Sequence, residues 1–464
     1  MLFDSMVFLF FFLPVSVILY YLTPWRFKNG MLVFLSAVFY AWGEPVHLLL
    51  LFFVTVWNYL GGRLIEKGRR KGNARTVLLA AVSVNLLLFA VFKYAGTVLE
   101  LAGNDLYQNR FFAVPVGLSF YMLQNISYLI DVYRGETRAL KSLLHYAVLV
   151  MMFPKIIVGP FVSCGEFERQ ITKRTLTWNK FSEGMLCFVR GLAKKVILGN
   201  GFLEMFDAFL AFPAGDMSAL SAWLGCLAYA LGMVFSLGGY CDMAVGLGRM
   251  FGFELPENVQ YPCMSTGIMD YWGRWLSTLW KWFCSYVYWP VCGENPRGVR
   301  GFLALLFTWI LIGLWHGLDG TFVVWGIYFA ILIYLEGFVL GQRREKLPVF
   351  VRWIFTLLLL LVSWVFFFSP TLGEAGAWLG RMTGIGGHGL IDARAFSMIK
   401  TYGVLWTAGI LAGTPLTGAV YERLLSGEGK WKTAVNCIVY AALLFLCTAQ
   451  ILSGAGGEFF YYRF

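Results

Sequence analysis

Apolar runs near the length of a membrane-crossing helix recur along this 464-residue chain, and the charges collect in short segments between them. Crossing hydrocarbon takes about 20 apolar residues in helical form, and a backbone there must satisfy its own hydrogen bonds as helix or closed barrel. The chain is 59% hydrophobic and 14% charged, with a mean hydropathy of +0.68, whereas soluble domains carry about 25% charged residues. The pattern predicts an all-α, polytopic integral membrane protein with roughly 11–12 hydrophobic segments by window hydropathy. The lipid bilayer is therefore its first expected partner. The net charge of +11 is not a nucleic-acid signal here, because the basic residues sit in loops beside apolar runs, where they set topology. The nine cysteines are scattered, without metal-ligand spacing or a disulfide framework.

The first run, Ser5–Thr23, lacks a basic leader and a small-residue cleavage site, so it reads as a retained span. A basic turn, PWRFKN (Pro24–Asn29), follows it. Met31–Trp42 and His47–Tyr59 form two marginal arms broken at GEP (Gly43–Pro45), and the charge run Arg63–Arg75 reads as a cytoplasmic loop. Further spans lie in Arg75–Ala102 and Phe111–Val132, separated by the weakly charged loop Gly103–Arg110. Basic loops alternate with neutral ones, which puts the N-terminus outside. Phe153–Pro160, FPKIIVGP, has two prolines and a glycine in an apolar run and reads as re-entrant, since broken backbone at membrane depth must be buried in protein or line a wet cavity. Cys164–Lys195 is amphipathic, with Arg174 and Lys195 among its cations; it is expected along the cytoplasmic interface with Trp178 and Phe181 toward lipid. In Gly238–Pro262, Asp242 and Arg249 are seven apart and share a helix face turned away from lipid. Later spans fall near Tyr328–Leu340, Arg352–Phe368, Thr401–Val420 and Thr433–Leu452, with a Gly-rich loop around Gly384–Gly389 and a basic loop at Glu422–Lys432. The chain reads as a single domain over residues 1–464, with a catalytic core at 114–341.

Chemistry concentrates in Tyr271–Gly326. Tyr271–Pro290 mixes Trp272, Trp275, Trp280, Trp282 and Trp289 with Arg274 and Lys281. It reads as an interfacial helix with an aromatic belt, and also as the roof of a cavity whose two cations could meet the phosphates of a large thioester donor. His316, one of only four histidines, ends the apolar run Phe302–Trp315 between Gly313 and Gly317. A titratable ring at membrane depth is costly to keep and marks a functional site. An imidazole can accept a proton from a hydroxyl near neutral pH, so His316 is the candidate base of an acyl transfer; the bland alternative is a helix-end histidine satisfied by a carbonyl. Asp319 is three residues on, beside the ring or capping the turn. No serine elbow is present, and His47, His145 and His388 are far apart without paired ligands, so no metal is expected.

Several strings in order resemble the membrane-bound O-acyltransferase (MBOAT) family in its bacterial alginate O-acetyltransferase branch: FYAWGEP (Phe39–Pro45), VPVGLSFYMLQNISYLIDVYRGE (Val114–Glu136), FPKIIVGPFV (Phe153–Val162), GLAKKVIL (Gly191–Leu198), DMAVGLGRMFGFELPEN (Asp242–Asn258), SYVYWPVCG (Ser285–Gly293), GLWHG (Gly313–Gly317) and the ending EFFYYRF (Glu458–Phe464). The resemblance implies the MBOAT fold, with re-entrant and interfacial helices around a central funnel, and makes His316 the essential histidine. Trp315, Trp325, Trp272, Trp275, Asp242, Asn258 and Asp319 are then candidate pocket and support residues, and Arg274 and Lys281 candidate donor-binding residues. The resemblance also implies an acyl thioester from the cytoplasm (acetyl-CoA, or an acyl carrier), no bound cofactor, a hydroxyl acceptor on an exported polysaccharide, a separately encoded extracytoplasmic partner protein, and residence in the bacterial inner membrane. Two positions depart from the family pattern: Leu276 stands where a second histidine follows the arginine-tryptophan pair, and Ser236 replaces an acidic residue. D-alanyl transfer to teichoic acid from a carrier protein is the neighbouring alternative, and a non-catalytic membrane scaffold is the alternative of another class.

Overall fold

The computed structural model describes residues 1–104, 113–211, 217–384, 389–424 and 429–454. His388, the EFFYYRF ending, most of the loop at 103–110, the first residues of the 111–132 span and part of the loops at 384–389 and 422–432 lie outside them. The described chain is helical, with one isolated bridge between Val259 and Trp275. Among the described residues, seven helices are long and apolar enough to cross a bilayer: His47–Lys71, Ala74–Leu101, Ala219–Met250, Val299–His316, Gly320–Leu340, Val349–Phe368 and Lys430–Leu452. The pair Ala393–Thr401 and Gly403–Ala412, bent by 68°, makes an eighth if counted as one span.

The shortfall from the expected segments has a local cause. Phe8–Leu22 is a shorter apolar helix, and the helices Lys28–Gly43 (16 residues) and Leu118–Arg134 (17 residues) are shorter than the 18-residue spans. Leu118–Arg134 carries Gln124, Asn125 and Asp131 yet is buried almost all round, so protein and not lipid receives its polar groups. FPKIIVGP is broken as expected: a four-residue helix, Phe153–Ile156, is followed by turn and coil. The charge run at 63–75 is not a loop. The helix continues to Lys71 and stops where Gly72 turns left-handed at φ +82°, because Arg, Lys and Glu favour helix and only the glycine ends it.

The described residues divide into two compact units, one built from Met1–Gly191 and Tyr240–Glu257, the other from Leu192–Gly239 and the segment from Asn258 onward. In the first, Phe3, Phe8, Phe12, Phe39 and Phe153 form an aromatic core. Asn58 and Asn85 exchange amide hydrogen bonds of 2.9 and 2.7 Å between the His47–Lys71 and Ala74–Leu101 helices, the polar glue that stands in for a hydrophobic drive in lipid.

In the second unit, Val299–His316 and Gly320–Tyr334 are antiparallel neighbours. A Cβ at Gly313 would overlap the carbonyl oxygen of Phe322, and one at Gly326 that of Trp309. Glycine at both positions lets the two backbones touch. Half of the apolar window of Val299–His316 is buried against protein, against 11% for Lys430–Leu452, so the first is held by protein and the second faces the lipid.

Candidate active site

The candidate site grows from the end of the Val299–His316 helix. His316 is its last residue; Gly317 continues in extended backbone, and the next helix starts at Gly320. The close approach at Gly313 and Gly326 carries the aromatic face of that second helix against the ring. His316 is 8% exposed, and four aromatic rings enclose it: Trp315 at 4.8 Å between centroids, Phe367 at 5.0 Å, Trp325 at 5.3 Å and Phe322 at 5.9 Å. Phe322 lies nearly parallel to the imidazole and the other three stand edge-on.

Trp272 packs directly on a ring of this box, and Trp275 reaches it through one further ring. Trp272 packs at 4.8 Å from Trp309 and 5.8 Å from Trp325. Trp275 packs at 6.2 Å from Trp364, which touches Phe367 at 5.3 Å. The expected pocket tryptophans are thus brought together with His316. Asp319 is exposed, at the N-cap position of the second helix, where its carbonyl accepts from the Phe322 N–H at 3.1 Å and its side chain makes no cap hydrogen bond.

The 271–290 stretch is not one roofing helix. Ile268–Arg274 ends, Trp275 is extended, Leu276 turns left-handed at φ +46°, and Ser277–Phe283 begins a second helix that passes into a π-helical turn, Cys284–Tyr288. For a residue with a Cβ this conformation costs about 1–2 kcal/mol, so neighbouring structure must hold it. Asn258 does so. Its Oδ1 accepts from the Thr278 N–H at 2.9 Å and the Thr278 hydroxyl at 2.8 Å, and its carbonyl accepts from the Ser277 N–H at 3.0 Å. The Val259–Trp275 bridge and the Gln260 N–H donating to the Arg274 carbonyl at 2.9 Å extend the pairing. Asn258 therefore supports the site as an N-cap supplied from outside the helix, a role the sequence string does not reveal.

The two donor-binding candidates differ. Arg274 is partly exposed and its Nε donates to Asp270 Oδ1 at 2.6 Å, one helical turn back; Lys281 is exposed. Asp242 falls in the first unit, where its carbonyl accepts from the Cys187 thiol at 3.3 Å, while Arg249 pairs with Glu254 at 3.6 Å. Ser236 is buried in the second unit, its backbone against Gly199.

Sequence reasoning missed Phe322 and Phe367 as walls of the box, and Trp309 and Phe329 behind it. Phe322, Trp325 and Phe329 recur at helical spacing on one face, a legible signal. Phe367, supplied by the Val349–Phe368 helix, left none.

The family model for membrane-bound O-acyltransferases matches residues 136–372, which include the His316 helix and every ring of the box. The chain is 36% identical over 437 residues to a probable alginate O-acetylase of Azotobacter vinelandii, covering 90% of this chain and 87% of that protein. A peptidoglycan O-acetyltransferase of Helicobacter pylori is 28% identical, with 84% and 81% covered. A teichoic acid D-alanyltransferase of Bacillus subtilis is 24% identical over 47% of this chain and 58% of its own. A multi-pass helical chain with a histidine boxed in aromatic rings, matched in this way over most of its length, belongs to the membrane-bound O-acyltransferase family and is a membrane O-acyltransferase.

Proposed function

We propose that this enzyme moves an acetyl group from a cytoplasmic thioester, acetyl-CoA, to a hydroxyl of an exported cell-surface polysaccharide. The observation that carries the chemistry is His316, a buried imidazole at a helix end among four aromatic rings. Its ring nitrogen accepts the proton of the acceptor hydroxyl as that oxygen attacks the thioester carbonyl. The tetrahedral intermediate collapses with cleavage of the C–S bond, and the proton returns to the departing thiol. Nothing is oxidised or reduced, and an ester replaces a thioester. Trp315, Trp325, Phe322 and Phe367 keep the ring in place and exclude water, so that the thioester is not hydrolysed. Arg274 and Lys281 are the cations for the donor's phosphates; Arg274 acts from its pair with Asp270.

The acetyl group and the polysaccharide are supported by what two of its relatives are called, a probable alginate O-acetylase and a peptidoglycan O-acetyltransferase. The alternation of basic and neutral loops supports an N-terminus outside, and the family resemblance implies residence in the bacterial inner membrane. Acceptor transfer on the outer side calls for a separately encoded extracytoplasmic partner, as the family resemblance implies.

The test supplies enzyme in vesicles, together with its extracytoplasmic partner protein, and either labelled acetyl-CoA or a D-alanyl-charged carrier protein. Label released from acetyl-CoA to added polysaccharide is expected. Turnover of the carrier alone would overturn the acetyl assignment and favour the teichoic acid relative's donor. Turnover of neither, with folded protein, would favour a scaffold.

A further inference from the structure

Away from the His316 box, the first unit buries two cations against the same tyrosine, Tyr20. Lys28 opens the Lys28–Gly43 helix just after the basic turn, and Arg174 follows the helix Cys164–Lys173. The sequence places Lys28 in a basic turn and Arg174 in an interfacial amphipathic stretch, and they are 6% and 7% exposed. The Lys28 ammonium donates to the Tyr20 carbonyl at 2.6 Å. Arg174 Nε donates to the Tyr20 hydroxyl at 2.9 Å, and its Nη1 donates to the Ile171 carbonyl at 2.8 Å.

Aromatic faces complete the surroundings. The ammonium stands 4.6 Å from the centre of the Tyr20 ring and 5.6 Å from that of Tyr21. The guanidinium carbon stands 4.6 Å from Phe253, 5.4 Å from Trp25 and 5.9 Å from the same Tyr20 ring. Among the described residues no carboxylate pairs with either cation. Burial pushes the Lys28 ammonium below its ordinary range, and the neighbouring guanidinium adds to the effect.

Two like charges taken out of water cost several kcal/mol each unless an opposite charge and hydrogen bonds compensate. A carbonyl, a hydroxyl and ring faces compensate in part, and the bonds above leave lysine and arginine donors to spare. An anion with several acceptor oxygens would answer both cations at once. The surroundings place such an anion at headgroup level: Trp25 is 50% exposed, Phe27 54% and Trp178 80%, and amphipathic rings of this kind collect at the membrane–water boundary.

We propose that Lys28 and Arg174 form a phosphate-binding site that takes the headgroup phosphate of an anionic phospholipid. The site stands independently of the acyl-transfer reading, since none of its residues contributes to the His316 box. Phosphate is also carried by soluble molecules, so the test has an arm for each source.

Delipidated full-length protein in detergent is titrated with phosphatidylglycerol, with phosphatidylcholine, and with inorganic phosphate or coenzyme A. Bound ligand is read by native mass spectrometry and stability by thermal melting. Two buried cations facing an anionic lipid predict a preference for phosphatidylglycerol of roughly 30-fold, lost in Lys28→Gln and in Arg174→Gln. The double variant Lys28→Met with Arg174→Met keeps the aliphatic volume without the charges, and guards against a folding failure of the single variants. It is expected to melt close to wild type in phosphatidylcholine and to lose the preference. Binding of inorganic phosphate or coenzyme A that vanishes with the same substitutions, without a lipid preference, would overturn the lipid source. Equal binding of both lipids by the wild type, or an unchanged preference in the variants, would overturn the site.

Discussion

The Val299–His316 helix and the 268–283 segment both set a polar group among tryptophans, but they hold it by different means. The first holds His316 by shape. Gly313 and Gly326 let two helices meet backbone to backbone, and the rings of Phe322, Trp325 and Phe367 then have one place to go. The second holds its break by hydrogen bonds. Asn258 and the Val259–Trp275 bridge keep Leu276 left-handed between two short helices, and its cation Arg274 ends in a half-exposed ion pair. On the proposed function, the group that meets the reacting atom sits where the backbone itself fixes the geometry, and the group that attracts the donor's phosphates sits at the edge, where screening leaves an ion pair worth little. The contrast teaches that the buried aromatic box, and not the cationic stretch, should carry the rate.

Substitutions can break that contrast. The largest expected effect is His316→Ala, which should lower acyl transfer by at least about 100-fold while the melting temperature moves by a few degrees. Next is Gly313→Leu, which drives a side chain into the Phe322 carbonyl and should cost about 3 kcal/mol, read as a fall in melting temperature and in folded yield. Asn258→Ala should cost about 1–2 kcal/mol with a partial loss of rate; Asn258→Asp, which keeps the acceptor, should recover most of it. The smallest stability change is expected for Arg274→Ala, at or below about 1 kcal/mol, with a raised KM for the thioester donor and kcat nearly unchanged. A collapse of kcat in Arg274→Ala, with His316→Ala mild, would reverse the assignment of the two regions.

How much of this was legible follows the same divide. The helical membrane class, the break at FPKIIVGP and the prominence of His316 come from local pattern: apolar length, prolines, and a titratable ring in an apolar run. Phe367 joins the box by tertiary packing between separate helices, which no spacing encodes. The break at Leu276 carries neither glycine nor proline, and its cause is Asn258, eighteen residues upstream, whose hydrogen bonds hold the start of the second helix. In one dimension Lys28 is part of a basic turn and Arg174 of an interfacial amphipathic stretch, and only packing shows both buried against Tyr20. The charge run at 63–75 misled for the opposite reason, since strong helix formers kept the helix going past the apolar stretch.

The most direct measurement of the central claim is label transfer by wild-type and His316→Gln protein in matched vesicles, with equal amounts of folded enzyme confirmed by melting. Glutamine keeps a polar side chain in the box but cannot take up the proton of a hydroxyl. The account predicts transfer of labelled acetyl to an acceptor by the wild type and none above background by the variant. Transfer by His316→Gln at the wild-type rate would contradict it.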